Sequence, residues 1–170
     1  DAVQDEVAAE AMAVFAGGAP DFAALRRLAV TRDVFRETLR LYPPVPMMVR
    51  EAARPERFRG RPVRPGSLVI LSPWHLQRHR RLWADPDGFD PLRWRSAAAE
   101  DSARAAWLPF SAGPRVCIGA GFAMLEGVLT LARLAAAFRF APVPERTPRP
   151  VAHLTVRSAD GIWLELTPRT

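Results

Sequence analysis

The sequence contains no lysine and no asparagine, and it has one cysteine and one tyrosine. A single cysteine excludes an internal disulfide framework, and no other residues have the spacing of a zinc cage. No apolar run approaches the ~20 residues needed to cross a bilayer, and no charged start followed by an apolar block marks a signal peptide. From these features a soluble, cytoplasmic chain with no membrane partner is expected.

What is present points to a folded core. The 170 residues are 49% hydrophobic and 25% charged, outside the range of disordered chains. That length suits one domain or part of a larger one. The net charge of +6 raises nucleic-acid binding, because basic patches neutralise phosphates. The basic residues are all arginine, however, and they are spread along the chain beside abundant alanine and proline. That pattern reads as GC-rich coding, so no nucleic-acid partner is expected.

Hydrophobic periodicity predicts helices over Asp1–Phe15, Thr31–Leu41 and Gly119–Phe138. In the first, Val3, Val7, Ala11 and Val14 share a face; in the third, Phe122, Leu125, Val128, Leu129, Ala132 and Ala136 do. Gly17-Gly18-Ala19-Pro20 closes the first helix, and Asp21 is placed to cap a short turn. The second helix should open on a Thr or Asp cap and stop at Tyr42-Pro43-Pro44. Met47–Ala52, Phe58–Val63 and Ser67–Leu71 read as short strands, and Pro73–Arg80 as a short helix. Arg81–Trp107 reads as a long irregular stretch, of the kind that is functional or packed on something specific. Val151–Leu166 reads as a hairpin turning at Ser158-Ala159-Asp160-Gly161. The expected fold class is mainly α with small segregated β-sheets, an α+β arrangement.

Chemistry concentrates in Phe110-Ser111-Ala112-Gly113-Pro114-Arg115-Val116-Cys117-Ile118-Gly119. A loop with two glycines carries a cation two residues before a cysteine, and a helix starts directly after it. Positive charge and helix-start N–H groups around a sulfur are the setting of an anionic metal donor. The bland alternative is a buried cysteine acting as a small hydrophobe. Glu37-Thr38-Leu39-Arg40 sets a carboxylate and a guanidinium three apart on one helix face, which taken alone reads as a solvated helical ion pair. Phe89-Asp90-Pro91-Leu92-Arg93-Trp94 adds a second arginine within the irregular stretch.

These three runs resemble the signatures of the cytochrome P450 family and occur along the chain in that family's order. The first matches its haem-binding loop at Phe110, Gly113, Arg115, Cys117 and Gly119. The second matches its Glu-x-x-Arg helix, and the third supplies the arginine that joins that pair. The resemblance implies the C-terminal part of the P450 fold, heme b (iron protoporphyrin IX) as cofactor, and Cys117 as iron ligand and catalytic centre. It implies a structural network of Glu37, Arg40 and Arg93, with the carboxylate shared by two guanidiniums. It implies that Arg115 and Arg50 reach haem propionates, a surface arginine being the alternative for Arg50. Gln77 stands where many relatives have the histidine of a His-Arg pair with Arg78, which leaves a haem contact there unsupported. His75 and His79 are expected to face solvent.

The implied activity is that of a soluble, bacterial-type monooxygenase that inserts one oxygen atom from O2 into an apolar small molecule. Its electrons would come from a ferredoxin and ferredoxin reductase. Val45, Met47, Met48, Leu154 and Thr155 are the implied substrate contacts. The resemblance spans nearly the whole chain but less than half of a family member. Residues 1–170 are therefore expected to be the C-terminal part of a single P450 domain, without the N-terminal part and the distal helix. The alternative is a non-catalytic remnant or a haem-binding module.

Overall fold

The structure, a computed structural model, describes residues 2–169. Its helices are α1 (Ala2–Phe15), α2 (Ala29–Leu41), α3 (Pro73–Leu76), α4 (Ala97–Ala106) and α5 (Ala120–Ala137). Its strands are β1 (Met48–Glu51), β2 (Glu56–Phe58), β3 (Arg61–Val63), β4 (Leu68–Leu71), β5 (Phe138–Pro142), β6 (Pro150–Ala152), β7 (Val156–Ser158) and β8 (Leu164–Pro168). Mainly helical structure with small separate sheets is the architecture expected.

Helices α1, α2 and α5 pack on one another. Ala11 and Val14 of α1 meet Leu28, Ala24, Val128 and Ala132 in one buried cluster, against which Phe35 packs. The periodic face of α1 is the buried one, with Ala8 added to it. On α5 only Val128, Ala132 and Ala135 are buried, and Phe122 is exposed, so the expected face is right at its middle and wrong at its start. Helix α5 has 18 residues and a mean hydropathy of 1.4, long and apolar enough to cross a membrane by length and composition. The reading that no apolar segment approaches such a span is corrected in that respect. Glu126 and Arg133 interrupt it, and its buried residues face α1 and α2.

Asp21 caps the 3-10 turn Ala24–Arg27, accepting from the Ala24 N–H at 2.6 Å. Helix α2 starts two residues before the expected cap and has no cap of its own. The Glu10 carboxylate of α1 takes that role, accepting from the N–H groups of Val30 (2.7 Å) and Thr31 (2.9 Å) and from the Thr31 hydroxyl (2.7 Å). A carboxylate at a helix start is favourable both as acceptor and as negative charge. A cap contributed by another helix leaves no local sequence signal.

All sheets among the described residues are antiparallel ribbons of two strands: β1 with β4, β2 with β3, β5 with β8, and β6 with β7. The predicted Val151–Leu166 hairpin is corrected. Strands β6 and β7 turn at residues 153–155, and β8 leaves to pair with β5, placing Phe140 opposite Leu166. The Ser158-Gly161 turn is real, with the Ser158 hydroxyl donating to the Gly161 carbonyl, but it links β7 to β8 rather than pairing them. Helix α4 lies in the stretch expected to be irregular. Alanine carries its helix propensity there, and Ser96 caps its start at Ala99 N–H, but the apolar spacing is too weak to mark it.

One glycine is required by close approach. A Cβ on Gly127 of α5 would lie 2.2 Å from the Phe35 ring of α2. Gly127→Ala should therefore destabilise the protein by about 1–3 kcal/mol through overpacking, despite alanine's better helix propensity. Denaturation midpoints should show this loss, and it should shrink in a Phe35→Leu background.

Candidate functional site

The site is built outward from Glu37, which is fully buried on α2. Its Oε1 accepts from Arg40 Nη2 (2.8 Å), Arg93 Nε (3.0 Å) and the Asp90 N–H (3.0 Å), and its Oε2 accepts from Arg40 Nε (2.9 Å). Arg40 places its remaining N–H groups on the carbonyls of Gln77, Pro86 and Gly88 at 2.6–2.8 Å. Arg93 donates to the carbonyls of Ala84, Asp85 and Gly88. All five N–H donors of Arg40 are thus used, a full set for a guanidinium. The predicted network of Glu37, Arg40 and Arg93 is present, and the solvated-pair alternative is overturned. Burial alone would raise the Glu37 pKa, but the Arg40 hydrogen bonds, the Asp90 N–H and the two guanidinium charges outweigh it. The carboxyl is held below its ordinary value.

A wall of aromatic rings runs beside this network. Trp83, Trp94, Trp107 and Phe110 meet edge to face in sequence, with centroids 5.6, 5.8 and 6.3 Å apart. The Arg36 guanidinium stacks 4.0 Å over Trp94, and the Trp107 indole N–H donates to the Arg36 carbonyl. Trp83 and Trp94 are buried with Ala106 of α4. Helix α2 is therefore tied to the segment entering the cysteine loop.

That loop is shaped by its own backbone. The Cys117 N–H donates to the Phe110 carbonyl at 2.8 Å, and the Val116 N–H to the Gly113 carbonyl at 3.0 Å. Gly113 (φ 68°) opens a 3-10 turn that ends at Arg115, and its left-handed conformation favours glycine. Cys117 is a free, exposed thiol, not the buried small hydrophobe of the alternative reading. Half-buried Gly119 precedes the first turn of α5, and a Cβ there would lie 3.9 Å from the sulfur. Val116 and Ile118, which flank the cysteine in the chain, and Phe122 in the first turn of α5 form an exposed apolar collar in sequence about it.

Arg50 on β1 donates from Nη2 to the Ser111 hydroxyl at 3.0 Å, so the structure brings it to the loop. Arg115 is exposed at the end of its turn. Met47 lines an apolar cavity of about 230 Å³ with Pro46, Trp74, His75, Val151 and Val156. The Val156 N–H donates to the Pro44 carbonyl, which holds β7 against this segment. Val45 and Met48 are half-buried beside it, whereas Leu154 and Thr155 are exposed on the turn between β6 and β7 and do not line the cavity. His79 is exposed as expected, whereas His75, though exposed, also lines this cavity with its Nδ1 2.8 Å from the Ser72 hydroxyl, and Arg78 stacks 3.9 Å over Trp74.

Sequence reasoning missed Gln77, Ser111, Trp107 and Arg36 as members of the assembly. Gln77 carried one signal, its place where many relatives have a histidine, which in the sequence served only to set aside a haem contact. It is fully buried and forms three side-chain hydrogen bonds.

Comparison with known proteins agrees with this geometry. The family profile described as Cytochrome P450 matches residues 1–164. Cyclooctatin synthase of Streptomyces melanosporofaciens is 42% identical over 149 residues, covering 86% of this chain and 32% of that protein. Cytochrome P450 4A11 of Homo sapiens is 41% identical over 143 residues, covering 84% of this chain and 27% of that protein. The crystal structure of the cytochrome P450DA heme domain superposes with a TM-score of 0.89 at 29% identity, over 99% of this chain and 38% of that one. The chain thus spans about a third of the length of the curated relatives it matches.

Removing the shared carboxylate should be severe. Glu37→Ala leaves two buried guanidiniums without their anion and should lower stability by about 3–5 kcal/mol. Because the folded pKa is depressed, the stabilisation is complete above the ordinary carboxyl value of 4.5 and is lost as pH falls through the lower folded value. Denaturant melts across that range should show the acid loss in wild type and a flatter profile in Glu37→Gln.

Proposed function

This chain belongs to the cytochrome P450 family, and on that premise we propose that it forms the haem-proximal part of a monooxygenase acting on an apolar organic molecule. Family membership implies a haem-iron cofactor. The residues present fit that group chemically. Iron needs a soft donor, and Cys117 is an exposed free sulfur. A porphyrin is flat and apolar, and Val116, Ile118 and Phe122 offer exposed apolar surface around that sulfur. Its propionates are anionic, and Arg50 and Arg115 supply guanidiniums at the same loop.

Cys117 binds iron as a thiolate in this reading, and Phe110, Gly113 and Gly119 shape the loop that presents it. Arg50 and Arg115 would hold the propionates, with Ser111 fixing Arg50. The exposed side chains of Val116, Ile118 and Phe122 would pack against the porphyrin face. When bound, heme b supplies the activation of O2, with thiolate donation favouring O–O cleavage. Met47 and the apolar cavity beside it hold an apolar substrate. Val45 and Met48, half-buried beside that cavity, are further substrate contacts in this reading, whereas Leu154 and Thr155 lie outside its lining.

Electrons come one at a time from a redox partner, for which an acidic ferredoxin with its reductase is the match to the exposed arginines and the net charge of +6. We place this activity in a bacterial cytoplasm. Turnover that falls as salt is raised would support the ferredoxin arm, and salt-insensitive turnover would count against it.

The observation that carries the reading is the exposed thiol of Cys117, set in a loop anchored through α2 to the buried Glu37 network. A carbon monoxide difference spectrum of the reduced protein should show a thiolate-type Soret band. Cys117→Ala should abolish it while the Glu37 network keeps the fold intact by circular dichroism. Survival of the band in that variant would overturn the ligand assignment.

A further inference from the structure

The residue that couples the buried network to the cysteine loop is Gln77. Its side chain is fully enclosed between the end of α2 and the segment entering the loop. The partners fix its orientation. Nε2 donates to the carbonyls of Leu39 (3.0 Å) and Arg40 (2.9 Å), and Oε1 accepts from the Leu108 N–H at 2.7 Å. Two carbonyls demand the amino side and one N–H demands the oxygen, so no flipped amide satisfies all three. The Gln77 main-chain carbonyl accepts from Arg40 Nη1 at 2.7 Å, which anchors the same residue to the Glu37 pair.

Helix ends leave carbonyls without intrahelical partners, and α2 ends in the interior where water cannot serve them. Gln77 satisfies two of those carbonyls and spends its remaining acceptor on the chain two residues before Phe110. From Leu108 the connection is short. The Leu108 carbonyl accepts from the Ser111 N–H at 3.2 Å, and the Phe110 carbonyl accepts from the Cys117 N–H at 2.8 Å. Ser111 in turn receives Arg50.

We propose that Gln77 is a positioning residue for the Cys117 loop, its side-chain amide fixing Leu108, and through it Phe110 and Cys117, relative to the Glu37–Arg40 end of α2. The hydrogen-bond geometry stands without any cofactor, and only the spectral readout below rests on the haem-thiolate reading. An amide suits the position because it offers two donors and an acceptor with no net charge next to the Arg40 guanidinium.

The test compares wild type, Gln77→Leu and Gln77→His. Leucine keeps the volume and makes none of the three bonds. Neutral histidine keeps one ring nitrogen as acceptor for Leu108 and one N–H as donor to a carbonyl. Hydrogen exchange at the Leu108 and Cys117 amides is measured with haem added and with haem omitted. In Gln77→Leu both amides should exchange faster by roughly two- to tenfold beyond any change in α1, the span expected for one lost buried hydrogen bond. Gln77→His should restore protection at both. With haem bound, the thiolate-type Soret band should be diminished or shifted in Gln77→Leu and wild-type-like in Gln77→His.

A purely space-filling role predicts the reverse order, with leucine tolerated and histidine disruptive, and that order would overturn the proposal. Equal exchange in all three proteins would overturn it as well. Should neither variant fold, wild type decides alone: a Leu108 amide that exchanges as fast as an exposed loop amide contradicts the brace, and a protected one supports it. Wild-type protein that binds no haem yet keeps Leu108 protected refutes the haem reading and leaves the brace standing.

Discussion

One carboxylate shared by two guanidiniums organises this molecule. Glu37 neutralises only half of the positive charge that Arg40 and Arg93 carry into the interior. The rest is met by main-chain carbonyls of Gln77, Ala84, Asp85, Pro86 and Gly88. A segment with no repeating secondary structure thus acquires one conformation because its carbonyls are needed as ligands for charge. Buried ion pairs often contribute little net stability against apolar replacements. Here an apolar replacement would also leave that ring of carbonyls without donors, so specificity of backbone path is what the charges provide.

The consequence for function is mechanical. The Glu37 helix reaches the cysteine loop by two routes, the Gln77 amide and the ring contacts from Trp94 through Trp107 to Phe110. A third support comes from β1, where Arg50 holds Ser111. Cys117 itself is exposed and makes little of its own surroundings rigid, so its position is inherited from residues that are buried. That division suits a metal donor. The sulfur and its apolar collar remain accessible to a large flat group, and the precision of placement comes from charge and packing behind them.

Much of this was legible in the sequence, for a physical reason. Motifs with fixed residue types at fixed spacing can be recognised without knowing their partners, so Glu37, Arg40, Arg93 and the Phe110–Gly119 run stood out. The buried face of α1, and the middle of that of α5, followed from periodicity in the same way. What escaped notice depends on partners distant in the chain. Glu10 caps α2 from another helix, Gln77 braces Leu108 from across the fold, and β5 finds β8 after a long excursion. Each is an ordinary polar or apolar residue until its partner is known. Helix α4 escaped for a different reason, since its alanines favour helix without marking a face.

The Glu37 network sets the geometry of the cysteine loop, although neither Glu37 nor Arg93 hydrogen-bonds to it. The most direct measurement is hydrogen exchange of the Cys117 amide in Arg93→Lys. Lysine retains the charge opposite Glu37 but cannot span the carbonyls of Ala84, Asp85 and Gly88 as the guanidinium fork does. Exchange at Cys117 should be faster in a protein whose α1 and α5 amides remain protected. An unchanged Cys117 rate, with the 84–88 segment loosened, would contradict it.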